Sequence, residues 1–321
     1  MENLPAVLSR IPSHPDIQCE IEQAKSFYIQ QHAPSTLRAY RSDWVIFERW
    51  CHARGIQPLP AAPEAVAVFL GSQASDGSKP ATLTRRVAAI RYFHIMEGIT
   101  DSPTASEIVR ATMKGIRHTL GTAKAQKAPA TADRLLKMLE QVSDTLQGCR
   151  DRAILLLGFA GAFRRSELAN LLVSDLEEVP SGLRVHIRKS KTDQEGSGQV
   201  VPIIKGARVC PVKAVTNWLQ VANIKKGPVF RRFGKGGKIF RKSLTPYSIG
   251  KIVKRYAEMA GYDPADYAGH SLRSGFLTSA AMNGASIFKM MDISRHKSMD
   301  TLKGYIRLAD EFKDHAGEGL L

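Results

Sequence analysis

Cysteine is scarce and unpatterned in this sequence: Cys19, Cys51, Cys149 and Cys210 lie far apart, with no Cys-x-x-Cys pair. Neither a disulfide framework nor a cysteine zinc site organises the chain, and the four read as reduced, mostly buried thiols. Long apolar runs are missing too, none approaching the roughly 18 residues that a membrane span needs. The opening Met1-Glu2-Asn3-Leu4-Pro5 has neither a basic segment nor a long apolar stretch, so export is not expected and a cytoplasmic location is. No His, Asp or Glu cluster has metal-ligand spacing, which argues against two-metal hydrolysis, and no metal or cofactor is expected. No internal repeat is present.

Acid is also in short supply. Against 46 Lys+Arg stand only 30 Asp+Glu, a formal net charge of +16. Such an excess favours a polyanionic partner, most often nucleic acid; a ribosome-associated or anionic-membrane protein is the plainer alternative. Apolar content of 43% and charged content of 24% are ordinary for a globular protein, and 321 residues suffice for two domains.

In chain order, residues 1–15 carry three prolines and little periodicity and read as a flexible arm. Residues 16–122 read as a helical domain. Ser35 is a good N-cap for a helix carrying Leu37, Tyr40, Trp44, Phe47 and Cys51, which Gly55 ends. Further helices are predicted over 65–70 (after Pro63), 82–97 and 104–120. On the last two, Arg85, Arg86, Arg91, Lys114 and Arg117 recur at helical positions. Such a stripe is often only a solvated face, but in so basic a chain phosphate contact is the favoured reading. Residues 123–130, small and polar with Lys124 and Lys127, read as an exposed linker. A larger domain, 131–321, follows. Its helix over 152–163 is apolar enough to be a core helix. The one clear β signal is the alternating pair 183–187 and 199–203, joined by a turn too long for a tight hairpin and therefore either disordered or functional. The remainder reads as helical. Gly234-Lys235-Gly236-Gly237-Lys238 lacks the spacing of a nucleotide-binding loop and reads as a basic loop facing DNA, through Lys235 and Lys238.

A phosphodiester is cut without metal when guanidinium groups hold the transition-state charge, a nucleophile attacks and an acid protonates the leaving oxygen. Arg164 and Arg273 can form such a clamp. Lys191, on the long turn, can reach the leaving group, with Lys189 as the alternative. Tyr305 can attack, while His270 and His296 handle protons and oxygen contacts. Tyr267 is the rival nucleophile, ranked lower because it precedes a helix that should be packed. Glu167, three residues after Arg164, orients that arginine rather than acting itself. His296 and Tyr305 stand nine apart, on opposite sides of any unbroken helix, so a break capped by Ser298 or Asp300 is predicted between them.

These residues, in this order, resemble the tyrosine recombinases of the phage integrase family, over about residues 20–310. Gly161-Ala162-Phe163-Arg164-Arg165-Ser166-Glu167-Leu168 is similar to the family's first arginine motif, where many members have one residue fewer between glycine and arginine. Arg165 joins Lys189 as a DNA-contact candidate beside that motif. Ser190-Lys191-Thr192 is similar to the hairpin lysine motif, His270-Ser271-Leu272-Arg273 to the His-x-x-Arg box, and His296 and Tyr305 to the third histidine position and the nucleophile. Asp292-Ile293-Ser294-Arg295-His296 departs from the pattern, since members usually have Leu-Gly before the histidine.

The resemblance implies a mostly α fold with a small antiparallel β-sheet. It implies a two-domain C-shaped clamp, a helical SAM-like core-binding domain and an α/β catalytic domain. The implied reaction is site-specific strand exchange through a 3′-phosphotyrosyl link and a Holliday junction. A homotetramer would act on two double-stranded sites with inverted-repeat cores, with room for an accessory DNA-binding protein and in a bacterial or phage nucleoid setting. The task is integration or excision of a mobile element, or resolution of cointegrates or dimers. Ile306, Leu308 and Phe312 are the implied anchors of a C-terminal segment on a neighbouring protomer. Two rivals are DNA relaxation or end resolution by the same chemistry, and a non-catalytic DNA-binding protein on a decayed fold.

If phosphates dominate binding, affinity for duplex DNA falls steeply as salt rises, and a flat titration by fluorescence anisotropy would contradict that reading of the charge.

Overall fold

Prolines set where the first helices begin. After α1 (Gln18–Gln30), the helices α2 (Pro34–His52), α3 (Pro63–Ser75) and α4 (Pro80–Met96) each start on proline, whose missing N–H is no loss in a first turn. Ser35 is therefore not the cap of α2; Ala33 holds that position and Ser35 lies inside the helix. The helix predicted over 104–120 is split, with a short 3₁₀ turn over Pro103–Ala105 and then α5 (Glu107–Leu120). The computed structural model describes residues 18–122, 127–188, 198–296 and 298–309, apart from the side chains of Gln18, Lys25, Ile29 and 307–309. The predicted arm, Lys124, Lys189, Lys191, the Leu308 side chain and Phe312 lie outside this description. The fold is mostly helical with small antiparallel sheets, in two compact units, Met1–Ala125 and Gln126–Leu321. No helix among the described residues is long and apolar enough to cross a membrane.

In the first unit, Trp44, Phe47, Trp50, Phe69, Leu70, Leu83, Ile90, Val109 and Met113 form the core. Asp43 is buried at its edge, and a buried carboxylate needs compensation. Arg85 supplies it, with Nε 2.6 Å and Nη2 3.1 Å from the two carboxylate oxygens. The structure corrects one expected phosphate contact here. Arg86 is only 9% exposed, donates to Ser78 Oγ at 3.2 Å and to Gln73, and lies near Asp43, so it holds helices together. Arg85 is half-exposed but committed to Asp43, whereas Arg91, Lys114 and Arg117 are exposed.

The second unit is built on α7 (Leu146–Ala160), which follows α6 (Ala132–Glu140). Ile154, Leu155 and Leu157 of α7 are fully buried, as its all-round apolar pattern predicts. It begins earlier than expected because Thr145 Oγ1 caps it by accepting from Gly148 N at 3.1 Å. After α8 (Arg165–Asn170) come β1 (Leu176–Val179), β2 (Gly182–Ile187) and β3 (Gln199–Ile204), an antiparallel sheet in that order. Leu183, Val185 and Ile187 point into the core, and Ile187 pairs with Gln199, so the long turn leaves the sheet there. Next stand α9 (Pro211–Val221), the hairpin of β4 (Arg231–Phe233) and β5 (Ile239–Ser243), and α10 (Pro246–Met259). Lys235 and Lys238 are exposed on that hairpin's turn. Three further helices close the unit: α11 (Ser271–Met282), α12 (Ile287–Ser294) and α13 (Asp300–Ala309). The break predicted between His296 and Tyr305 falls between α12 and α13.

Residues 127–130 are not the exposed linker expected from their composition. Ala128 N donates to Asp266 O at 2.8 Å and Ala130 N to Ser271 O at 2.9 Å, and Ala130 is fully buried. The backbone runs so close to α11 that a Cβ at Gly275 would stand 1.8 Å from Ala130 O. Small residues here serve close approach. Gly275→Ala must push α11 away from this segment, an overpacking cost of roughly 2 kcal/mol or more. Urea unfolding of the variant is expected to show that loss, and an unchanged midpoint would refute the close contact.

Candidate active site

Gly161 ends α7, and the chain then turns through Ala162, whose φ of 46° is left-handed, into Phe163 and Arg164. Arg164 is the residue before α8 and Glu167 lies in that helix's first turn. The spacing lets the Glu167 carboxylate fold back on Arg164, accepting from its backbone N–H at 2.9 Å and from Nη1 at 2.7 Å. Both residues are buried. Burial opposes ionisation of Glu167, but the charge of Arg295 and the bonds from Arg164 outweigh it and hold the carboxyl below its ordinary range.

Arg273 comes from α11 and is 3% exposed. Its Nη1 donates to Ala162 O at 2.7 Å and its Nη2 to His296 Nε2 at 3.0 Å. Among the described residues no carboxylate pairs with it. Burial, then the fields of Arg164 and Arg295, push its pKa down to about 9. It is thus a buried cation with no paired carboxylate among the described residues. His296, just past α12, sits in the same field. Burial first, then Arg273, Arg164 and Arg295, lower its pKa to about 4. A neutral imidazole that accepts at Nε2 carries its proton on Nδ1, 2.8 Å from Ser294 Oγ, and that hydroxyl in turn donates to Met290 O at 2.6 Å. The chain of bonds fixes the ring's tautomer and aims its lone pair at Arg273.

Tyr305, on α13, is partly buried against the small cluster of Leu277, Ala281, Met290 and Leu302, and its phenol lies within electrostatic reach of Arg273. Tyr267, the rival, is 2% exposed and packed beside Tyr262, and burial raises its phenol further from ionisation. His270 precedes α11 and is exposed, with its backbone carbonyl accepting from Ser274. Although His270 and Arg273 are three apart, only Arg273 is turned into the buried cluster. Arg165 is exposed, its stem against Gly269, and Lys127 donates to Ala265 O at 2.6 Å while remaining exposed. Lys191 lies outside the described residues; the strands that carry its turn, β2 and β3, are in place.

Sequence reasoning missed Arg295. Its guanidinium is 2% exposed, bonds Glu167 Oε2 at 2.7 Å and lies over the Phe163 ring, 5.0 Å from its centroid. The available signal was the departure at Asp292–His296, where an arginine stands immediately before the histidine.

Comparison with known proteins gives a consistent picture. The sequence pattern described as "Phage integrase family" matches residues 129–311, and "Phage integrase, N-terminal SAM-like domain" matches 26–96. An "Integrase/recombinase xerD homolog" of Selenomonas ruminantium is 38% identical over 299 residues, covering 92% of this chain and 87% of that protein. Among solved structures, a lambda integrase dimer bound to a COC′ core site superposes with a TM-score of 0.62 at 18% identity, over 96% of this chain and 85% of that one. A lambda integrase tetramer bound to a Holliday junction gives 0.59 at 17% identity, over 90% and 76%.

Burial of His296 together with the field of three arginines has a measurable sign. The folded pKa of His296 lies below its unfolded value, so as pH falls from about 6.5 the unfolded chain takes up the proton first, and stability is lost down to about pH 4. Nuclear magnetic resonance of 15N-histidine-labelled protein is expected to show His296 neutral until near pH 4. A midpoint at its ordinary value would contradict the arrangement.

Proposed function

The chain belongs to the phage integrase family and is a tyrosine-type site-specific DNA recombinase, and from that premise we propose that Tyr305 is its nucleophile and that Arg164 and Arg273 hold the scissile phosphate. One observation carries the reading: a buried Arg273, beside Tyr305 in the same field, has no carboxylate partner among the described residues. Arg164 and Arg295 already share the Glu167 carboxylate, and a phosphate diester between Arg164 and Arg273 relieves the excess of positive charge.

In this reading the Tyr305 oxygen attacks phosphorus while the bond to the 5′ oxygen breaks. The phenol proton passes to His270 and Lys191 protonates the departing 5′ oxygen. The arginines stabilise charge on the non-bridging oxygens. His296, neutral and accepting from Arg273, orients that guanidinium, and Glu167 orients Arg164. The 3′-phosphotyrosyl link keeps the energy of the broken bond, so a 5′ hydroxyl of a partner strand can reverse the attack without ATP or metal. The lambda integrase structures, bound to a core site and to a Holliday junction, support the further expectation of a tetramer on two inverted-repeat sites. Exchange through a junction then serves integration and excision of a mobile element, or resolution of cointegrates or dimers. The phosphate contacts proposed along the duplex are Arg91, Lys114, Arg117, Arg165, Lys235 and Lys238, all exposed. Division of labour follows the two matched regions, an N-terminal helical domain that grips DNA and a C-terminal domain that cuts it, working in the cytoplasm.

A nicked substrate that loses its 5′ fragment traps the covalent adduct. In excess EDTA the protein is expected to form it, Tyr305→Phe to bind DNA without forming it, and Tyr267→Phe to form it normally. An adduct that survives Tyr305→Phe, or one that requires Mg²⁺, would overturn the mechanism.

A further inference from the structure

Arg295 is expensively placed. Its backbone is left-handed, φ 58° and ψ 42°, closing α12 through an N–H that donates to Met291 O at 2.6 Å. Glycine takes that conformation without steric penalty, whereas a residue with a side chain is disfavoured there. Its guanidinium is buried as well, and Nε is without a partner among the described residues. Two costs at one residue call for an offsetting role, and the side chain's contacts indicate it. Nη1 donates to Gly161 O at 3.1 Å and Ile293 O at 2.7 Å, and Nη2 to Ala162 O at 3.3 Å and Glu167 Oε2 at 2.7 Å. The planar group also covers the ring of Phe163.

Apart from Ile293 O, on its own helix, these contacts belong to the structure that presents the two proposed clamp arginines. Ala162 O is shared with Arg273 Nη1, and Glu167 is shared with Arg164. Arg295 thus joins the end of α12, one residue before His296, to the turn before α8. At 2% exposure it has no open face with which to meet a substrate.

We propose that Arg295 is a positioning residue: by locking the Gly161–Ala162 turn and the Glu167 carboxylate it sets Arg164 and Arg273 to receive the scissile phosphate together, without touching that phosphate. The proposal rests on the phosphate-clamp reading above. It differs from a charge role, because a lysine would keep the charge but cannot bridge the Gly161 and Ala162 carbonyls and the Glu167 carboxylate with one planar fork. It differs from a fold-only role, because a glycine relieves the backbone and leaves the helix cap intact.

The test is single-turnover adduct formation on the nicked substrate, with DNA binding by anisotropy and circular dichroism measured on the same samples. Arg295→Gly is expected to fold and bind DNA like the parent yet cleave about a hundredfold more slowly, the scale of an ångström-sized misplacement of catalytic groups. Millimolar guanidinium, filling the vacated space, is expected to restore part of the rate, and Arg295→Lys to cleave as poorly as Arg295→Gly. In a Glu167→Gln background, the loss from Arg295→Gly is expected to shrink, since both act through one carboxylate. Parent-like cleavage by Arg295→Gly, or full additivity with Glu167→Gln, overturns the proposal. Should the glycine variant not fold, Arg295→Lys decides alone: slow cleavage with intact binding supports the positioning role and parent-like cleavage sinks it. If the parent protein itself forms no adduct, the clamp reading falls and this role with it; a normal parent beside an unimpaired Arg295→Gly removes the positioning role alone.

Discussion

Three guanidinium groups stand around the single carboxylate of Glu167, and a protein interior does not hold that ratio without fixed geometry. Arg164 and Arg295 each take part of the carboxylate, one oxygen of which also accepts the Arg164 backbone N–H. The cluster keeps a surplus of positive charge, and Arg273 within it is tied only to a backbone carbonyl and a neutral imidazole. Burial first, and then that excess of positive charge, lowers the pKa values of both Arg273 and His296. Positions that look independent along the chain, from Gly161 to His296, are therefore parts of one electrostatic object. A diester fits it because it brings one negative charge and two oxygens.

The scaffold beneath this object is apolar and close-packed. Gly158 lies where α7 meets Leu272 and Leu168, with a hypothetical Cβ only 2.8 Å from a Leu272 methyl. Gly275 lies where α11 meets the backbone at Ala130. These close approaches anchor the helix that carries Arg273 on two sides. Side-chain precision at the site thus derives from backbone contacts one layer away, where no charged residue takes part.

Much of this was legible in the sequence, and the limits have physical causes. Period 3.6 and period 2 exposed the main helices and the β2–β3 pair because those elements bury one face. β1, β4 and β5 were not legible: burial in β1 and β5 follows no alternation, and β4 is only three residues long. The order of Arg164, His270, Arg273, His296 and Tyr305 could be read as chemistry, whereas Arg86 and Arg295 could not be told from surface arginines. Composition reports charge but not which charges fold inward to meet a buried carboxylate. Residues 127–130 mislead in the opposite direction, since small side chains suit a linker and a tight backbone contact equally well.

The helix bearing Tyr305 packs with α11 and α12 in a hydrophobic cluster distinct from the larger core of its unit. It is seated on Leu277, Ala281 and Met290 through Leu302, apart from the core built on α7. Seating of α13 thus rests on apolar packing against α11 and α12, and local opening of such a separate cluster takes less free energy than unfolding the whole domain. Delivery of the phenol and assembly of the arginine cluster are then thermodynamically separable. Under the proposed mechanism, presentation of the phenol depends on apolar packing, and the phosphate clamp depends on charge.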